Sequence, residues 1–173
     1  MYWLPEALKD LGQKEIPGPK HNPKIIERID WADGVQDSKQ LQGIRDDETA
    51  WCASWLCGVL EASGVKSPRS AMARSFARWG QKLDGPAEGC IVVFWRGSRN
   101  GSLGHVGLVV GKSRAGHLMV LGGNQDNQVK VSTFGLDRVL AYRWPDGEPL
   151  PPKTGFGSLP VVRSDGRLST NEA

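Results

Sequence analysis

Three residues of this 173-residue chain have types and spacing suited to covalent chemistry at a carbonyl: Cys52, His105 and Asn124. A thiolate is a strong nucleophile, and an imidazole can take the thiol proton. A side-chain amide next to the ring can accept its other N–H and so hold one tautomer. Cys52 falls in the first turn of a helix expected over 49–63 (TAWCASWLCGVLEAS), where unpaired N–H groups and the helix dipole favour negative charge and hence a thiolate. Taken alone it reads equally as a small buried hydrophobe. Cys57 lies mid-helix and Cys90 at a strand start, and both read as structural. Of the three histidines, only His105 opens a strand between glycines (SLGHVGLVVG); His21 sits in a Pro-rich loop and His117 in a turn. If 105–111 and 117–123 form a hairpin, position 105 faces 123 or 124, which brings Asn124 to the imidazole. Gln125 and Asn127 are neighbouring alternatives, and GGNQDN is also ordinary turn chemistry.

The elements that must position these side chains follow from periodicity. A short helix is expected over 2–12, closed by Gly12. A second runs through NPKIIERIDWA, capped by Asn22 with Pro23 at its first position. The helix over 49–63 carries an apolar stripe at Cys52, Trp55, Leu56, Val59 and Leu60, with Thr49 as its cap and Gly64 at its end. A further amphipathic helix is expected over 70–82 through Met72, Phe76 and Trp79. The period then switches to β: strands at 90–97, 105–111, 117–123, 128–134 and 138–144. Helices first and closely spaced strands after them predict an α+β fold with an antiparallel sheet. That unit is expected to end at residue 145, leaving a Pro/Gly-rich tail over 146–173 that reads as an extended segment or linker without a core of its own.

Composition narrows the function classes. The net charge of +3 comes without a dense Lys/Arg run, so it falls short of a nucleic-acid footprint, although it would help approach to an anionic polymer. Three cysteines argue against a disulfide framework, and no Cys/His spacing fits a zinc site. The first residues do not form a signal peptide and no segment is long enough to span a membrane, so synthesis in a cytoplasm, with delivery by other means, is expected.

DETAWCASW (47–55), PAEGCIVVFWRG (86–97), GHVGLVVG (104–111) and VLGGNQDNQV (120–129), supported by EIPGPKHNPKIIERI (15–29) and VLAYRWP (139–145), resemble the NlpC/P60 and CHAP superfamily of cell-wall hydrolases. The likeness is greatest to an endolysin-type subgroup from phages and prophages, and it covers roughly residues 3–145. The resemblance implies a papain-like α+β fold, with the cysteine helix packed on the sheet that carries the histidine. It implies hydrolysis of an amide bond in bacterial peptidoglycan, with Cys52 as nucleophile, His105 as base and Asn124 as third member. It implies no cofactor and no metal, and action on the wall or periplasm after release, as a monomer. One departure is GCIVVF, where relatives usually carry an acidic residue in place of Cys90. Asp47 and Glu48 are candidates to receive an amino group of the stem peptide, Trp51 to wall the groove, and Gln125 to assist the oxyanion. An N-acetylmuramoyl-L-alanine amidase, a non-catalytic wall-binding module and an acyltransferase are the alternative readings.

Overall fold

The computed structural model describes residues 1–33, 47, 49–164 and 167–169. Among the described residues three α-helices come first: α1 (Trp3–Leu8), α2 (Pro23–Asp33) and α3 (Cys52–Ala62). Six strands follow: β1 (Gln81–Leu83), β2 (Ile91–Trp95), β3 (Gly104–Lys112), β4 (Leu118–Gly122), β5 (Lys130–Phe134) and β6 (Val139–Trp144). They form one antiparallel sheet in the order β1-β6-β2-β3-β4-β5. The protein is therefore α+β, as its periodicity predicts.

Asn22 caps α2 as expected, its side-chain oxygen accepting from Lys24 N–H at 3.0 Å. Helix α3 differs from expectation in two ways. It begins at Cys52, with Trp51 at the cap position and no side-chain cap, so Thr49 does not play that role. It is also buried all round from Cys52 to Leu60, including Ser54 and Gly58, rather than along one stripe. The cause is its central place: α1 and α2 cover one side and β3 the other. Arg28 of α2 fastens this layer, donating to both oxygens of Asp10 (2.8 and 3.1 Å), while Trp55 Nε1–H of α3 donates to Asp10 Oδ2 at 2.9 Å.

The helix expected over 70–82 is corrected to a 3-10 helix at Ala73–Arg78 followed by β1. Met72 and Trp79 take extended backbone on either side, and Gly80 turns at φ +61. Phe76 still reaches the core, where packing outweighs the helical period.

The tail beyond residue 145 is extended apart from a turn of 3-10 helix at Phe156–Ser158, and it is tied to the sheet. Lys112 N–H donates to Pro160 O and Val162 N–H returns to Lys112 O, both at 2.8 Å. Lys112 Nζ reaches Phe156 O and Gly157 O, and Leu159 is buried. The last described residues continue to β5, where Ser169 N–H donates to Thr133 O at 2.7 Å. The tail satisfies exposed backbone groups of the sheet and packs on a core it does not itself supply. No helix among the described residues is long and apolar enough to cross a membrane.

Candidate active site

Cys52 opens α3 and faces the strand that carries His105. Up to the bulge after Val109, the odd-numbered residues of β3 bond to β2, as when Val109 N–H donates to Cys90 O, so the N–H groups of Val106 and Leu108 face β4. The β3–β4 ladder runs only from Lys112↔Leu118 to Leu108↔Leu121. Past that point the strands part, and Val106 N–H lies against the Cys52 sulfur, together with the N–H groups of Ala53 and Cys52 itself. These donors do not decide the charge state. Cys52 is 5% exposed, and burial pushes its thiol up to about 11, against the opposing pull of those N–H groups and the positive charge of Arg96. The expected thiolate at the helix start is thus corrected to a neutral thiol, because desolvation outweighs the dipole.

His105 is fully buried. Its ring stacks on Phe134 (centroids 5.5 Å, 10° between planes) and more distantly on Phe94 (6.5 Å, 21°), its cross-strand partner. Its Nε2 lies 3.1 Å from Gln125 Oε1. The polarity of that bond is settled by the other end of the amide. Gln125 Nε2 donates to Val120 O at 3.2 Å and to Lys130 O at 2.6 Å, so Oε1 must be the atom that meets the ring. His105 Nε2 therefore donates, and in the neutral ring the lone pair able to take a proton sits on Nδ1.

The side chain seen orienting the imidazole is Gln125, one of the alternatives to Asn124. Asn124 is buried at φ +54, and this left-handed turn, closed by Gln125 N–H to Gln128 O at 3.0 Å, swings residue 125 inward. Two glycines make room for it. A Cβ on Gly122 would stand 2.8 Å from Gln125 Oε1 and 3.3 Å from His105 Nε2. A Cβ on Gly123 would stand 2.6 Å from Trp51 Cζ3. Space therefore constrains the GGNQ run as much as turn chemistry does.

The expected substrate contacts are rearranged. Gln125 is fully buried with both ends of its amide engaged, so it holds His105 and does not assist an oxyanion. Trp51 is fully buried against Gly123 and belongs to the core, not to a groove wall. Asp47 is also fully buried and cannot receive a substrate amine. Its Oδ2 accepts from Ile16 N–H (2.9 Å) and Asn22 N–H (2.8 Å), and its Oδ1 lies 3.0 Å from His21 Nδ1. Burial pushes the Asp47 carboxyl up, but these three donors together hold it below its ordinary value. Glu48 lies outside the described residues. The His21–Asp47 pair is one that sequence reasoning misses. Its only traces there are a histidine in a Pro/Gly-bounded loop and an acid shortly before the cysteine helix.

Among the described residues, no group of three or more His, Cys, Asp or Glu side chains could hold a metal ion. Comparison with protein-family models, with curated proteins and with solved structures finds no match to this chain.

Proposed function

We propose that the protein is a cysteine-dependent peptidoglycan hydrolase that cuts an amide bond of the stem peptide on a papain-like fold. The observation that carries the reading is a cysteine at the start of a buried helix, set against the strand whose histidine is oriented by a fixed side-chain amide. That is the set of parts acyl transfer through sulfur requires. The choice of peptidoglycan rests on the sequence resemblance.

In this reading His105 Nδ1 removes the Cys52 proton as the sulfur attacks the amide carbonyl, since the resting sulfur is a neutral thiol. A tetrahedral oxyanion forms, and backbone N–H groups at the start of α3 stabilise it. It collapses to a thioester as His105 gives its new proton to the departing amine. Water, deprotonated by His105, then attacks the thioester, releasing the acid and restoring the thiol. Gln125 keeps the ring in the Nε2–H tautomer at each step. Incubating purified peptidoglycan with the protein should lower its turbidity, and the Cys52→Ala variant should leave it unchanged. Equal clearing by both would remove the sulfur from the mechanism.

A further inference from the structure

Away from Cys52 and His105, the 3-10 helix Ala73–Arg78 and strands β1 and β6 border an open cavity of about 590 Å³ whose charged lining is entirely cationic. Arg74 and Arg78 come from the 3-10 helix, Lys82 from β1 and Arg143 from β6, and no Asp or Glu is among the described residues that line it. Lys82 and Arg143 are direct cross-strand partners, which sets two like charges about 5 Å apart at Cβ and is destabilising in a bare sheet. The side chains of Arg78 and Lys82 make no ion pair or hydrogen bond among the described residues.

Two of the four are held in place by backbone. Arg143 Nη2–H donates to Ala77 O, and its Nε–H has no acceptor among the described residues. Arg74 clamps the loop between β2 and β3, donating to Leu103 O (2.7 Å), Arg99 O (2.9 Å) and Ser98 O (2.8 Å). Such fixing lowers the entropy lost when guanidinium groups bind an oxyanion. Met72, Leu140 and Ala141 supply apolar surface between the charges.

We infer that this cavity binds a chain bearing several phosphate groups, with phosphates against Arg78, Lys82 and Arg143 and carbon linkers against Met72 and Leu140. One phosphate would fill little of the volume, and guanidinium and ammonium together match phosphate oxygens. Anion binding here needs nothing from Cys52.

The test is calorimetric titration at low salt with inorganic tripolyphosphate and with a glycerol phosphate oligomer of equal charge, using the whole chain. Arg78→Gln/Lys82→Gln should weaken both at least tenfold. Lys24→Gln, which removes an exposed charge on α2, should leave both unchanged. The free Lys82→Gln protein should melt no lower than the wild type, since a like-charge pair is relieved, yet it should lose most of the melting shift that tripolyphosphate gives the wild type. No binding by the wild type, or equal weakening by Lys24→Gln, would overturn the site. Tighter binding of tripolyphosphate than of the glycerol phosphate oligomer would overturn the role given to Met72 and Leu140.

Discussion

Two histidines in this molecule are oriented by neighbouring side chains, and the partners differ in kind. His105 is buried in an aromatic stack and donates to the neutral amide of Gln125. His21 keeps 31% of its side chain exposed and meets the ionised, buried carboxylate of Asp47. A carboxylate offers a charged acceptor to the ring, whereas the Gln125 amide, with its Nε2–H groups engaged elsewhere, presents only its oxygen and so fixes one tautomer. Asp47 also takes the N–H groups of Ile16 and Asn22, so its pair with His21 fastens the loop ahead of α2. Gln125 is itself fixed by two carbonyls, so it holds a single ring and nothing else. On the proposed function, the difference separates a histidine held for proton transfer from one that anchors a loop.

The largest effect that would sharpen this contrast is on turnover. Gln125→Ala frees the His105 ring and should lower kcat on peptidoglycan about 10²-fold with the fold retained, the scale expected when a catalytic group is displaced by an ångström or so. Asn124→Ala should cost less than Gln125→Ala, because the bond seen on the imidazole comes from residue 125. Steady-state kinetics with circular dichroism on both variants checks this, and the opposite ranking would return the orienting role to Asn124.

The second effect is on thiol reactivity. With the Cys52 thiol pushed up to about 11, its thiolate fraction near pH 8 is about a hundredfold below that of an ordinary cysteine thiol. Alkylation by iodoacetamide, followed site by site by mass spectrometry, should therefore be slow at neutral pH and climb toward pH 11. A plateau reached below pH 7 would instead mean a preformed thiolate–imidazolium pair.

The smallest effect is on stability, and it belongs to the anchoring pair. Asp47 is held below its ordinary value of 3.8, so its contribution is present above that value and is lost as pH falls through the lower, folded-state value. Asp47→Asn should cost about 2 kcal/mol at neutral pH through weakened hydrogen bonds to charge. It should also flatten the acid limb of the denaturation curve, with kcat nearly unchanged. Chemical denaturation at pH 7 and pH 3 measures both, and an equal loss at the two pH values would contradict the assignment.

Much of this arrangement is legible in the residues. The switch from helical periodicity to short apolar runs marks the passage from α3 to the sheet, and HVGLVVG becomes β3 because its β-branched Val106, Val109 and Val110 fit a pleated, buried surface. The hairpin count that places residue 105 opposite 123 or 124 agrees with the observed Leu108↔Leu121 register, but the ladder ends there. Beyond the ladder, the path of the chain depends on the left-handed backbone of Asn124 and on space that only Gly122 and Gly123 leave, and neither has a periodic signature. The charge state of Cys52 is hidden for a similar reason: helix position is local and visible, whereas full enclosure by α1, α2 and β3 is a tertiary fact. The tail beyond residue 145 reads as a linker because its pairing with Lys112 and Thr133 uses backbone groups, which any sequence can offer.

The most direct test of the central claim is mass spectrometry of soluble fragments from purified peptidoglycan treated with the wild type and with Cys52→Ser. The wild type is expected to release fragments carrying a new amine and a new carboxylic acid from one stem-peptide amide, while Cys52→Ser releases none above the enzyme-free control. The same fragments at the same rate from both proteins, or none from a folded wild type, would contradict a cysteine-dependent hydrolase.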